Sequence, residues 1–430
     1  MQMSFWNRLL FFTIVFAIVF GLQYLVYITF RNYLNNSFPE KLNLKTILKN
    51  CFLLFNLPYL YVLFNAITSN KTPDFILNTV YKPFYIFQSA VIFIGLYLLI
   101  LKIIKLPFWA ILFSLKKIFG RDSFDKFTGK KPVKTFNSTR RAFLKTSTML
   151  VSGYAFTGAA LGIIDNDDYE INKINVKLNN LPEELKGTTI TLVSDIHSGP
   201  YMNENLMKEY ADAINELNSD LILIPGDLTN SNVSEAMPFA NAFKNLKAKN
   251  GIYASLGNHD FFSDPDYITN VVRNETPIKI LRNEFDILNI NCKELCIIGI
   301  DDTRQSGAKQ DRLLMGNLDA VTSNVKLKFA EKNLRFDNIP KVTLFHKPYF
   351  FDEISNKNLD LILSGHTHGG QVVLAKFGDI NISFAGAVSK YISGLYESGN
   401  SKMYVSKGIG SVALPIRLNC KPELTKITLI

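Results

Sequence analysis

The chain has five histidines, His197, His259, His346, His366 and His368, and all lie in short polar segments directly after apolar runs. Residues 189–193 lead into Ser194-Asp195-Ile196-His197, and 221–224 into Pro225-Gly226-Asp227. Residues 252–256 lead into Gly257-Asn258-His259-Asp260, and 341–345 into His346-Lys347-Pro348. Residues 361–363 lead into Ser364-Gly365-His366-Thr367-His368-Gly369-Gly370. Asp, Asn and His donors without sulfur suit borderline or hard divalent ions. One ion takes about four such ligands, so a larger set points to two ions sharing a carboxylate. Glycines beside the ligands let the backbone turn sharply and approach closely.

The elements that must position these residues are legible around them. Short runs rich in Ile, Leu and Val read as buried strands. Between the first two, residues 203–217 carry apolar Leu206, Met207, Tyr210, Ala213, Ile214 and Leu217 at helical spacing. Strand, helix and strand of this length imply a parallel pair joined by a right-handed crossover. The polar clusters are then expected on loops at the same ends of neighbouring strands, where open sheets place their sites.

The set DxH, GD, GNHD, an isolated His and GHxH, in that order, resembles the calcineurin-like metallophosphoesterases over residues 175 to 429. Ser364 to Gln371, Asp301-Asp302, and Pro415-Ile416-Arg417 before Pro422-Glu423 look like the membrane-associated bacterial subgroup of that family. The resemblance implies an α/β fold, a sandwich of two mixed β-sheets flanked by helices, over residues 175–430. It implies that Asp195, His197 and His368 hold one metal, that Asn258, His346 and His366 hold the other, and that Asp227 bridges. The cofactors would be two divalent ions drawn from Mn, Fe, Zn or Mg. His259 would stay off the metals and face the leaving oxygen, giving it a proton. A hydroxide held between the ions would be the nucleophile, because metals lower the pKa of bound water. Two divalent ions outweigh two aspartates and a hydroxide, so the site attracts a phosphate anion, and a neutral Asn258 preserves that surplus. Asp260, Asp301 and Asp302 read as support or turn residues, Arg417 as a salt bridge or a phosphate contact, and Gly369 and Gly370 as donors of backbone N–H to phosphate.

Residues 1–164 read differently from the rest. Apolar runs at 5–30, 47–68, 84–101 and 146–164 give about four transmembrane helices ahead of the catalytic domain, the second weakened by Asn56 and Pro58. Residues 106–119, ending in Lys116-Lys117, read as an interfacial extension. The net charge of +10 is concentrated in residues 102–145, which hold twelve Lys and Arg against Asp122 and Asp125. The catalytic region has no basic excess with which to track a nucleic acid, so no nucleic-acid partner is expected. The basic segment reads as a loop on the cytoplasmic side, which places the catalytic domain outside the cytoplasm. Thr139 to Lys145 resembles a twin-arginine export signal in an unusual internal position. Cys292 and Cys296 bracket a probable turn, where either a hairpin disulfide or free thiols fit.

Expected from these residues is a multi-pass membrane protein whose partners are the lipid bilayer and a phosphorylated substrate, which the tether suggests is lipid-linked. Its metal-dependent domain would hydrolyse a phosphate ester or pyrophosphate. A tethered phosphodiesterase or phosphatase for soluble substrates is the enzymatic alternative. A non-catalytic phosphate sensor is the alternative of another class, and its mark, a lost ligand or acid, is not found.

Overall fold

The computed structural model describes residues 5–61, 74–120, 131–164, 168–179, 181–378, 380–412 and 414–430. The chain divides into two compact units, Met1–Ile163 and Ile164–Ile430.

The first unit is helical, with long helices at Phe5–Ser37, Lys82–Phe119 and Lys131–Ile164 and a shorter one at Leu42–Leu54. Among the described residues two stretches are long and apolar enough to cross a membrane, Thr13–Ser37 and Thr79–Ile118. Two of the four expected runs, 5–30 and 84–101, overlap these stretches. The 47–68 run leaves the helix after Leu54 and turns at residues 55–57, and its end lies outside the described residues. The 146–164 run is the second half of the Lys131–Ile164 helix, whose Ser, Thr and Gly content dilutes its apolar character. Residues 106–119 are no separate extension. Pro107 costs one backbone hydrogen bond, yet the helix runs through it. The basic segment is likewise no simple loop: residues 102–119 and 131–145 belong to the two flanking helices, and 121–130 lie outside the described residues.

Asn56, which weakened the second apolar run as a span, has a use in the packing. Its amide donates to Gln23 at 2.8 Å, Gln23 donates to Gln88 at 2.6 Å, and Gln88 donates to the Phe55 carbonyl at 2.8 Å. Away from water such amides satisfy one another and join helices. Nearby, Gly95 lets its helix press onto Leu22, where a Cβ would come within 2.8 Å of the Leu22 side chain.

The second unit is built on two six-stranded mixed sheets. The first has the order β1-β14-β2-β3-β4-β5, from Glu170–Val176, Glu423–Leu429, Thr189–Leu192, Leu221–Pro225, Ile252–Ser255 and Ile278–Ile280. The second has the order β12-β13-β9-β8-β7-β6, from Gly394–Ser398, Ser401–Val405, Leu361–Ser364, Lys341–Phe345, Lys293–Ile300 and Glu284–Ile290. A small hairpin, β10 at Ala375–Phe377 and β11 at Ile380–Ile382, stands apart from both. The first strand starts at Glu170, five residues or so before the expected domain boundary, because it pairs in parallel with β14.

Alternation along the buried strands splits their side chains between layers. Leu221 and Leu223 join Leu344, Leu361 and Leu363 in the core between the sheets. Ile222 and Ile224 face the other way, toward Met207, Tyr210 and Ile214 of the Glu204–Glu216 helix. That helix is the expected one at 203–217, with Asn203 as its cap accepting from the Leu206 N–H at 3.0 Å. Across the second sheet, Leu318, Val325 and Phe329 of the Ala308–Glu331 helix cover Ile298 and Ile362. The architecture is the expected sandwich of mixed sheets between helices.

One expectation about the strand ends needs correction. The clusters do not follow neighbours of one open sheet: β2, β3 and β4 carry three of them in the first sheet, and β8 and β9 carry two in the second. Since Leu223 anchors the layer that brings these ends together, Leu223→Ala should cost about 2–5 kcal/mol. A thermal melt of the purified protein should show it, and an unchanged midpoint would mean that the inter-sheet core does not carry this domain.

Candidate metal centre

Each of the five strands ends in a turn that points side chains at one place. Asp195, His197, Asp227, His366 and His368 all have positive φ, between 50° and 70°. Such backbone is uncommon outside glycine and costs about 1–3 kcal/mol per residue, so it persists where surrounding structure imposes it. Here the ladders of both sheets hold the turns. The Asp195 N–H donates to the Gly226 carbonyl at 3.3 Å, and the His197 N–H to the Asp227 carbonyl at 3.0 Å. The Gly365 N–H donates to the His346 carbonyl at 3.0 Å.

Three overlapping groups result: Asp195, His197 and His368; His197, Asp227 and His259; and Asp227, His346 and His366. Within each, one ligand atom per residue lies within 4.8 Å of the others. Asp227 is shared. Its Oδ2 stands 3.1 Å from His346 Nε2 and 3.5 Å from His197 Nε2. Asp195 Oδ1 is 3.6 Å from His368 Nε2, and the two Nε2 atoms of His197 and His368 are 3.1 Å apart. Asn258 opens the short helix Asn258–Phe262 after β4, and its Oδ1 is buried without a hydrogen-bond partner. His346 Nδ1 meets the Pro225 carbonyl at 2.7 Å, so that nitrogen carries the proton, while its Nε2 is buried with no hydrogen-bond donor or acceptor of suitable geometry. A buried amide oxygen with no donor, at the end of a strand beside Asp227, fits a divalent cation.

The electrostatics agree with that use. Burial lowers His197 and His366 well below the ordinary imidazole range and takes His368 down to about 4, leaving neutral rings with free lone pairs. Burial opposes ionisation of Asp227, but His346 and His197 beside it hold its carboxyl well below the usual range. Burial also works against charge on His346, yet Asp227 outweighs it and carries the ring up to about 10. A proton on His346 thus supplies the positive charge that Asp227 requires.

His259 differs from the expected ligands although one of its ring nitrogens reaches His197 and Asp227. Its Nδ1 donates to the Asn230 carbonyl at 2.5 Å, because a carbonyl can only accept, which leaves Nε2 for chemistry. That carbonyl is held by Glu235, whose Oε2 accepts from the N–H groups of Asn230, Ser231 and Asn232 at 2.8–3.0 Å. Glu235 was not singled out from sequence. Its signal was the capping box formed with Asn232, three residues earlier.

The expected support residues fall into place with two revisions. Asp260 accepts from the N–H groups of Gly257, Leu228 and Thr229, tying the second and third turns together. Burial and Asp227 raise its carboxyl to about 7. Asp301 is engaged by Arg282 and Leu256, and Asp302 by Lys347 at 3.1 Å. Among the described residues Arg417 makes no salt bridge. It is buried and donates to the carbonyls of Lys407, Gly408 and Gly410, with one nitrogen 3.4 Å from His368 Nδ1. The Gly370 N–H is spent on the Thr367 carbonyl at 2.8 Å, so it is not offered to a phosphate. Cys292 and Cys296 are free thiols in the β6–β7 hairpin, the first exposed and the second buried.

Residues 188–370 match the family model described as calcineurin-like phosphoesterase. A zebrafish (Danio rerio) "transmembrane protein with metallophosphoesterase domain" is 28% identical over 303 residues, 69% of this chain and 63% of that protein. The matched part is therefore less than two thirds of that relative. An uncharacterized metallophosphoesterase of Campylobacter jejuni is 26% identical over 69% of this chain and 72% of its own length. One from Helicobacter pylori is 26% identical over 386 residues, 86% of this chain and 90% of its own, so the likeness extends into the first unit.

A divalent ion held through His346 Nε2 beside Asp227 would take the place of the proton that Asp227 favours on that ring. Mn²⁺ uptake should therefore release about one proton, and affinity should fall about tenfold for each pH unit below 8. Calorimetry in buffers of different ionisation enthalpy measures both. An affinity that stays flat between pH 8 and 6 would remove His346 from the ligand set.

Proposed function

We propose that this chain, which carries a calcineurin-like phosphoesterase domain at residues 188–370, is a membrane-associated, metal-dependent hydrolase of phosphate esters or pyrophosphates that works with two divalent ions. The observation that carries the reading is the position of the Asp227 carboxylate, whose Oδ2 lies 3.5 Å from His197 Nε2 of one group and 3.1 Å from His346 Nε2 of the other. Asp195, His197 and His368 would hold one ion, and Asn258, His346 and His366 the other. Divalent ions bound there supply Lewis-acid polarisation of a phosphoryl oxygen and a lowered pKa for water. Oxygen and nitrogen donors of this kind suit Mn, Fe, Zn or Mg.

The chain's own contribution is the placement of charge and of one proton. The neutral imidazoles of His197, His366 and His368 add no charge to compete with a phosphate for the cations. His259, fixed through Nδ1 to Asn230, turns Nε2 to the site as the group that would pass a proton to the departing oxygen, an effect worth about 10²–10⁴-fold. Phe262 packs on His259 with ring centres 5.1 Å apart, and Tyr349 on His366 at 5.4 Å. Both are exposed, at 49% and 38%. Apolar surface beside the reacting groups, in a chain with two helices able to span a bilayer, supports a lipid-linked substrate over a small soluble ester.

Incubation of the Mn²⁺-loaded protein with a membrane-lipid extract, followed by mass spectrometry, should show a phosphorylated lipid consumed. Turnover confined to soluble esters would reject the lipid-linked substrate and leave the hydrolase.

His259→Ala should keep the wild-type metal content, near two ions per chain, while losing about 10²–10⁴-fold in rate on esters with poor leaving groups. On an aryl ester whose leaving group needs little protonation, the variant should recover most of that loss. Equal losses on both esters would contradict proton donation, and wild-type protein saturating at one metal would contradict the paired site.

A further inference from the structure

The first unit contains a crevice of about 360 Å³ between the Phe5–Ser37, Lys82–Phe119 and Lys131–Ile164 helices. Its two ends differ in chemistry. One is lined by Leu25, Leu98 and Met149, the other by Asn36, Lys102, Lys105 and Lys145. Among the described residues no carboxylate lines it. Lys102 and Lys105 are three residues apart on one helix and so share a face. Neither makes an ion pair among the described residues. Lys145 comes from another helix and stands over the Tyr33 ring at 4.4 Å, with its Nζ 3.2 Å from Ser37 Oγ. Both of those contacts are neutral, so three positive charges converge without a counter-ion among the described residues.

Length adds a second constraint. Leu25 and Asn36 are separated by about 16 Å of helix, close to the roughly 15 Å hydrocarbon depth of one leaflet. The lysines of the second helix begin where its apolar run from residue 84 to 101 ends. The crevice therefore passes from oily to cationic over the distance that separates a lipid's acyl chain from its phosphate.

We propose that this crevice binds one anionic phospholipid, its phosphate held by Lys102, Lys105 and Lys145 and an acyl chain laid along Leu25 and Leu98. Basic pockets between spanning helices have the chemistry for such headgroups. The inference rests on the membrane placement of these helices, not on hydrolysis by the second unit. Free phosphate would satisfy the lysines but leave the apolar end unused, and that asymmetry favours the lipid.

The test is native mass spectrometry of the full chain in detergent, titrated with phosphatidylglycerol, phosphatidylcholine or glycerol 3-phosphate. Wild-type protein should retain one phosphatidylglycerol in preference to phosphatidylcholine. The triple variant Lys102→Gln, Lys105→Gln, Lys145→Gln should lose that preference by about tenfold or more. Leu98→Trp, which fills the crevice and keeps the lysines, should lose it too. A control with Lys41→Gln, Lys49→Gln and Lys117→Gln removes as many charges outside the crevice and should bind as wild type. Equal loss in the control would reduce the effect to net charge and overturn the proposal, as would binding of glycerol 3-phosphate as tight as that of the lipid. Two further readings on the same preparations separate the causes of failure. Hydrolysis of an aryl phosphate ester should be unchanged in every variant, and its absence in all would strike the enzymatic reading alone. Recovery of the wild-type chain outside the membrane fraction would overturn the membrane placement and this inference with it.

Discussion

The ligand turns of the two sheets meet with no room between their backbones, and the rest of the second unit is arranged around that contact. A Cβ on Gly365 would stand 2.0 Å from Ser194 Oγ and 2.1 Å from Asp195 Oδ2. One on Gly257 would stand 2.1 Å from Asp227 Oδ1. Glycine is required at these positions because the turn of one strand lies against the carboxylate of another, not because the chain needs freedom there. The same closeness lets the backbone orient the acids. The His366 N–H donates to Asp195 at 2.9 Å and the His259 N–H to Asp227 at 2.8 Å, so each carboxylate is aimed by a residue of a different motif. Five left-handed backbone conformations at ligand positions become tolerable when both sheets enforce them.

Much of this was legible in the sequence because it is local. An apolar run of four or five residues followed by Gly, Asp or His marks a strand and its end, and the capped helix from Glu204 to Glu216 is written in its own spacing. The division of the five strands between two sheets was not legible from the runs themselves, since nothing in residues 341–345 distinguishes a neighbour of β4 from a strand facing it. Arg417 misled for a related reason. An arginine near ligands suggests a phosphate contact, but its partners are backbone carbonyls of residues 407, 408 and 410, which only the folded chain brings close. Glycines 408 and 410 were missed on the same ground. The Gly410 N–H donates to the Asp195 carbonyl at 2.8 Å, across a separation no local pattern records.

In the first unit the difficulty was of another kind. Hydropathy treats a polar residue in an apolar run as a defect, whereas Gln23, Asn56 and Gln88 pair with one another and so remove the cost that the scale assigns them separately. Conversely, a basic stretch was read as one loop because charge was summed along the chain. Folded, residues 102–119 and 131–145 lie on two helices, and their grouping in space differs from their grouping in sequence.

The position of β14 has a consequence for how the protein is made. It lies between β1 and β2, parallel to the first and antiparallel to the second, and Asn172 of β1 reaches Glu423 of β14 at 2.8 Å across 251 residues of chain. During synthesis β1 therefore leaves the ribosome long before its only ladder partner exists. Until then the opening strand of the sheet has nothing to pair with, and β2, which carries Asp195 and His197 at its end, is bounded on one side only. Ribosome-bound chains that stop short of residue 423 would hold every metal-binding motif in their sequence and still lack the sheet that sets them. Closure of the first sheet is in this way postponed until residues 423–429 have emerged, a delay set by topology alone.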